Sequence, residues 1–318
     1  MNLYGLLASR FPAEGEAPCL ILPGGRRVSY AELESQSARY GALLVEAGLK
    51  PGDRVAAQLE KSAEALFLYL GCLRAGGVFL PLNPAYTRGE VAYFLNDAKP
   101  GLFVCAPERL EEAQELAWAC RLPLVHDLGA RGEGSLAGAA AQMPARFATV
   151  ERADGDLAAI VYTSGTTGRS KGAMLTHRNL AANALVLHQY WGFRPGDVLL
   201  HMLPTFHVHG LFVATHCALL NGSPMLFEPK FDAPRALRLM REGTVFMGVP
   251  TYYVRLLQEK GLTREAVAHM RLFISGSAPL LPETFSEFRE RTGQTLLERY
   301  GMTEGGMFTS NPLEGERR

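Results

Sequence analysis

The sequence predicts a layered α/β protein with mainly parallel sheets, and three observations carry that prediction. From about residue 29 onward, short β-branched or apolar runs alternate with amphipathic helical patterns, the signature of βαβ units. At 318 residues the chain exceeds the size at which one hydrophobic core keeps growing, which predicts two lobes. No uncharged apolar run approaches the roughly 18 residues needed to span a bilayer, so the apolar segments are free to build an internal core. The repeated unit favours layers over a closed barrel.

Taken in order, the first helix starts where Ser29 is followed three residues later by Glu32, a capping box, with Leu33, Tyr40, Leu43 and Leu44 near one face. The stretch LKPGDRVAAQLE then supplies a turn and a strand. Further strands are predicted at GVFLPL, GLFVCA, PLVHDL, LAAIVYT and DVLLHMLP, then at SPMLFEP, TVFMGVP, RLFISGS and TLLERYG, with helices in most gaps. Residues 129–156 are rich in Gly, Ala and charge without a clean period, and read as a linker or surface excursion. There is no internal repeat beyond the βα alternation, so a solenoid is not indicated.

Lys plus Arg equals Asp plus Glu, 32 against 32, which supplies no electrostatic reason for nucleic acid or an anionic membrane as partner. Any anion must therefore be bound locally. The five cysteines, Cys19, Cys72, Cys105, Cys120 and Cys217, are irregularly spaced with no CxxC pair, so they read as reduced thiols in a cytoplasmic protein. The start, MNLYGLLASRF, lacks a basic segment followed by a sustained apolar stretch, and neither secretion nor membrane insertion is expected.

The most informative stretch is YTSGTTGRSKGAMLTH, residues 162–177. Read as a loop between a strand and a helix, it would offer free backbone N–H groups, with glycines that let the backbone approach a phosphate. Ser164, Thr166 and Thr167 add hydroxyls, and Lys171 adds a mobile positive charge for outer phosphates. The alternative is a solvated Gly/Thr turn. The lysine spacing is not that of a Walker A loop, and the chain contains no GxSxG, HExxH or GxGxxG pattern. P-loop kinase, serine hydrolase, zinc protease and Rossmann dehydrogenase readings lose their main supports.

Three motifs in order, YTSGTTGRSKG (162–172), RLFISGSAPL (271–280) and ERYGMTE (298–304), resemble the adenylate-forming acyl-CoA synthetases. The amino-terminal stretches SYAELESQSARYGALLVEAGLKPGDRVAAQLE and GCLRAGGVFLPLNP are similar to that family too, so the resemblance covers essentially the whole chain. It implies an αβαβα amino-terminal domain, with one subdomain over approximately 45–200 and a second over approximately 5–40 plus 201–318. It also implies a third barrel-like subdomain and a carboxy-terminal lid that this chain does not complete, so the chain is expected to be an amino-terminal fragment.

The implied reaction joins a carboxylate to ATP, giving acyl-AMP and pyrophosphate, after which coenzyme A displaces AMP. Neither half needs a covalent protein nucleophile; positioned donors and Mg²⁺ manage the charge. By resemblance, Thr163, Ser164, Gly165, Thr166, Thr167, Gly168 and Lys171 hold the β- and γ-phosphates. Gly276, Ser277, Ala278 and Pro279, with Arg299, Tyr300, Gly301 and Met302, form the adenine site; Thr303 contacts the α-phosphate and Glu304 holds Mg²⁺. Many relatives carry proline before the loop lysine, where this chain has Ser170, which leaves the loop less restrained.

LPTFHVHGLF (203–212) and MGVPTYYVRLLQ (247–258) match segments that line the acyl pocket, and together with the lysine loop they are most similar to malonyl-CoA synthetases. In that reading Arg255 binds the distal carboxylate of malonate, with Ser277 and Met302 nearby, and His207 shapes the pocket. The competing reading of Arg255 is an exposed helix residue paired with Glu259. A fatty or aryl acid would instead want an apolar tunnel. His201, His207, His209 and His216 raise a zinc hypothesis, but His207 and His209 would point to opposite faces of an extended strand, with no suitably spaced Cys or carboxylate to join them.

Overall fold

Residues 1–163, 169–315 and 317 are described in the computed structural model of the chain. In chain order the strands are β1 (Pro18–Ile21), β2 (Arg27–Ser29), β3 (Arg54–Gln58), β4 (Val78–Pro81), β5 (Leu102–Cys105), β6 (Val125–Asp127) and β7 (Leu157–Thr163). They continue as β8 (Lys171–Thr176), β9 (Leu199–His201), β10 (Met225–Phe227), β11 (Val245–Gly248), β12 (Leu272–Ser275), β13 (Leu296–Met302) and β14 (Gly306–Ser310). The chain divides into two units, Met1–Ser9 with Ala31–Ala181, and Arg10–Tyr30 with Ala182–Arg318.

The first unit holds a six-stranded sheet in the order β6-β5-β3-β4-β7-β8, parallel except for the last pair, where β8 runs antiparallel to β7. Strands β4 and β5 are buried along their whole length, which is why GVFLPL and GLFVCA read as continuous apolar runs. The helix Ala63–Arg74 follows a Ser62 N-cap and crosses the helix Tyr30–Glu46 closely at Gly71, where a Cβ would stand 2.6 Å from Tyr40 Cβ. The helix Arg88–Ala98 opens on a Thr87–Glu90 capping box and packs Val91, Phe94 and Leu95 against Leu80, Phe103 and Tyr162.

The second unit holds an eight-stranded sheet in the order β14-β13-β12-β11-β9-β10-β1-β2. It is parallel from β13 to β1, and each edge is closed by an antiparallel partner, β14 on β13 and β2 on β1. Its core gathers Leu200, Met202, Phe246, Tyr253, Phe273 and Phe288. The aromatic rings of Tyr253 and Phe273 meet Phe288 edge-on, with centroids 5.5 and 5.1 Å apart.

Two mainly parallel sheets carrying helices are the predicted fold class, and each predicted strand forms. Three expectations change. Strands β1, β2, β8 and β14 were not predicted: β2, β8 and β14 are edge strands with exposed positions and no continuous apolar run, and β1 is only the four residues Pro18–Ile21. The segment 129–156 contains the helix Ser135–Ala141, built from alanines and started by Asp127, whose carboxylate accepts from the Ser135 N–H at 2.9 Å and from its hydroxyl at 2.6 Å. The HVHG segment is not extended: after β9 the chain turns into a π-helical stretch, His209–Thr215, that continues as the helix His216–Asn221. Among the described residues no helix is long and apolar enough to cross a membrane.

Candidate functional site

In the first unit, Thr163 at the end of β7 pairs with Lys171 at the start of β8. The expected strand–loop–helix is therefore a strand–loop–strand, and the helix His177–Tyr190 begins only after β8. Its N-terminal dipole is not what the loop brings to a phosphate. Ser164, Gly165, Thr166, Thr167 and Gly168 lie outside the described residues. The flanking positions are tied down: Tyr162 donates its hydroxyl to Asp97 at 2.6 Å, and Tyr93 donates to the Ser170 carbonyl at 2.8 Å. Gly172 is required by close approach, since a Cβ there would lie 2.8 Å from Ile160. Lys171 itself is exposed.

In the second unit, the ends of β12 and β13 open on a cavity of about 730 Å³. Six residues named from the sequence line it: Ser277, Ala278, Pro279, Arg299, Tyr300 and Gly301. Tyr190, Glu298 and the stretch Thr309–Pro312 complete the lining, and sequence reasoning had not named them as site residues. Gly276 lies under Arg299, so close that a Cβ would sit 2.4 Å from the guanidinium Nε. Ser277 turns the chain in the left-handed region at φ 72°, a conformation rare for a side-chain-bearing residue.

That turn carries the Ser277 hydroxyl onto two other groups. Arg299 donates to it from Nη2 at 3.0 Å, and His209 Nδ1 stands 3.4 Å away. Arg299 is 4 % exposed, its Nε has no hydrogen-bond partner, and it makes no ion pair among the described residues. Burial lowers its pKa to about 10, which still leaves a full positive charge at neutral pH. Burial, with Arg299 beside it, holds His209 well below the ordinary imidazole range. A neutral His209 sets Nδ1 against the Ser277 hydroxyl and leaves Nε2 buried without a hydrogen-bond partner. The cluster is thus a desolvated cation with no ion-pair partner among the described residues, lining the cavity beside the Ser277 hydroxyl.

The remaining sequence-named residues take distinct places. Thr303 and Glu304 form the tip of the β13–β14 hairpin, Glu304 exposed, with Met302 pairing Gly306 at its base. Gly301 is another close approach, where a Cβ would stand 2.2 Å from the Gly306 carbonyl oxygen, beside a bulge at Tyr300. Asn183 pins this hairpin by bonding both the carbonyl and the N–H of Met307, at 3.0 and 3.2 Å. His207 is exposed, 4.4 Å from the Phe206 ring. Arg255 is also exposed; its guanidinium rests 5.0 Å from the centroid of Phe231, which stacks on Tyr252, and it makes no ion pair with Glu259. Among the described residues no cluster of three or more His, Cys, Asp or Glu could hold a metal. A single carboxylate such as Glu304 suits Mg²⁺, which is commonly held by one or two carboxylates together with substrate phosphates.

Two mainly parallel sheets, a hydroxyl-rich lysine loop and a cavity at strand ends define the adenylate-forming class of α/β proteins. The chain belongs to the AMP-binding enzyme family, whose profile matches residues 8–318. It is similar to the ATP-bound crystal structure of MatB from Rhodopseudomonas palustris, with 52% identity and a TM-score of 0.96 over 99% of this chain and 62% of that one. The mouse mitochondrial malonate–CoA ligase ACSF3 is 39% identical over 76% of this chain and 44% of the relative. An Arabidopsis thaliana malonate–CoA ligase is 33% identical over 92% of this chain and 54% of its own length. The chain spans about half the length of the curated relatives it matches.

Proposed function

We propose that this chain is the nucleotide- and acid-binding part of an AMP-forming malonyl-CoA synthetase. ATP and malonate give malonyl-AMP and pyrophosphate, and the thiol of coenzyme A then displaces AMP to give malonyl-CoA. The observation that carries this reading is the buried Arg299, charged and without a carboxylate partner among the described residues. Leaving a cation desolvated and unpaired costs roughly several kcal/mol, and a bound anion offsets it. A substrate with a second carboxylate supplies that anion, whereas an alkyl or aryl chain would leave the charge stranded. The names of the malonate–CoA ligase relatives support the same substrate.

In this reading Arg299 and Ser277 grip the distal carboxylate, His209 orients the Ser277 hydroxyl, and Arg255 is the second cation at the acyl pocket. His207 and Met302 shape that pocket. Thr163, Lys171 and the loop residues between them bind the β- and γ-phosphates. Gly276 to Pro279 and Tyr300 to Met302 bind adenine, with Thr303 directed to the α-phosphate. Glu304 is the protein ligand for Mg²⁺, which when bound would neutralise charge on the phosphates. The five cysteines are unpaired, four of them buried, which fits a reducing compartment such as the cytoplasm.

The test is pyrophosphate release from ATP and Mg²⁺ by this chain with malonate or octanoate supplied. Malonate-dependent release supports the assignment. Release that prefers octanoate refutes the dicarboxylate reading.

A further inference from the structure

We propose that Tyr93 and Asp97 are positioning residues for Lys171: one face of the helix Arg88–Ala98 grips both strand ends from which the lysine loop departs. The proposal rests on the reading of Lys171 as a phosphate-binding residue. Tyr93 and Asp97 stand four residues apart, so they project from the same side of the helix. The Tyr93 hydroxyl donates to the carbonyl of Ser170, the residue before Lys171. The Asp97 carboxylate accepts from the hydroxyl of Tyr162, the residue before Thr163. Thr163 and Lys171 are themselves a cross-strand pair, so the two contacts bracket the start and the end of the loop.

The geometry leaves these hydroxyls little freedom. Tyr162 packs on Phe94 with ring centroids 4.3 Å apart and meets Tyr93 edge-on at 6.3 Å. Phe94 is 2 % exposed. Burial, reinforced by the hydrogen bond to Asp97, raises the Tyr162 pKa, so its hydroxyl stays protonated and donates. The helix is fixed at its own start by reciprocal Thr87–Glu90 bonds. Ser170 has no ring to restrain its φ, and the Tyr93 hydroxyl bond supplies a restraint there instead. Lys171 is exposed on a long flexible stem, so the position of its backbone decides where its ammonium can reach.

Tyr93→Phe removes only the hydroxyl and keeps the ring packing. Calorimetric titrations with ATP, pyrophosphate and AMP would be run on the wild-type chain, Tyr93→Phe, Lys171→Ala and the double variant, with thermal melts alongside. The expected result is a roughly three- to tenfold loss of ATP and pyrophosphate affinity in Tyr93→Phe, the size of one neutral hydrogen bond. AMP affinity should not move, because AMP lacks the outer phosphates. In the Lys171→Ala background the Tyr93 change should add nothing, since its effect runs through the lysine. Asp97→Ala, which releases Tyr162, should give the same split between ATP and AMP. Unchanged ATP affinity in Tyr93→Phe, an equal loss for AMP, or a loss that persists without Lys171 would overturn the proposal. Unchanged ATP affinity in Lys171→Ala alone would instead refute the phosphate role of the lysine, and the positioning role would fall with it.

Discussion

The lysine loop of the first unit and the arginine cluster of the second reach positive charge by opposite routes. Lys171 is exposed on an edge strand, its base held by neighbouring hydrogen bonds, and water screens its charge until a ligand arrives. Arg299 is buried, its neighbours are a serine, a histidine and a tyrosine hydroxyl, and its charge is already desolvated. An exposed cation can accept many anions at modest gain. A desolvated one discriminates strongly, because every ligand that lacks the matching charge leaves it unpaired.

The largest effect that could break this contrast is at Gly276. Gly276→Ala places a methyl 2.4 Å from the Arg299 Nε, so the guanidinium must shift from its place against the Ser277 hydroxyl. Overpacking of this kind costs about 1–3 kcal/mol, and malonate affinity should fall by more than tenfold while AMP binding changes less. Melting curves and the two titrations check it. The same substitution at an exposed glycine such as Gly138, with open space around its Cβ position, should leave both readouts near wild type.

Acid should sharpen the comparison next. His177 in the first unit is fully buried, accepts the Leu3 N–H at 3.0 Å, and is pushed down to about 4 by burial and by Arg152. Its folded pKa lies below the unfolded value, so protonation favours the unfolded chain. Stability is complete above about pH 6.5 and falls as the pH drops towards 4, by up to about 3 kcal/mol for this residue. Denaturant midpoints at pH 7.5 and 4.5 should differ by less in His177→Gln than in wild type. Equal differences would remove His177 from the account.

The smallest effect is at the hairpin that carries Thr303 and Glu304. Asn183→Ala removes two hydrogen bonds to Met307 and should cost about 1 kcal/mol, with weaker Mg²⁺-dependent ATP binding and little change for malonate. A larger loss for malonate than for ATP would mean that hairpin and cluster are not separable.

The buried parallel strands were legible because each is a run of apolar residues: β4, β5, β11 and β12 have no solvent face to interrupt the pattern. The edge strands β2, β8 and β14 were not. In β8 Gly172 and Ala173 are only partly buried and Met174 is exposed, so SKGAMLTH resembled a loop running into a helix, and the hairpin that pairs Thr163 with Lys171 went unseen. The nucleotide motifs were legible as contiguous words, and six of their residues do meet at one cavity. His209 was invisible as a partner for Ser277 because the two are 68 residues apart and only the π-helical turn after β9 brings them together. Asn183 acts through two hydrogen bonds and Tyr93 through one, all at long sequence separation, and no local pattern announces such contacts.

In the proposed reading Arg299 binds the second carboxylate of the acid. Titrating the chain with malonate and with butyrate, in wild type and in Arg299→Gln, tests this. The account predicts that wild type binds malonate at least tenfold more tightly than butyrate, and that Arg299→Gln loses this preference while its affinity for AMP is retained. Equal affinity for the two acids in wild type, or a preference that survives Arg299→Gln, would contradict it.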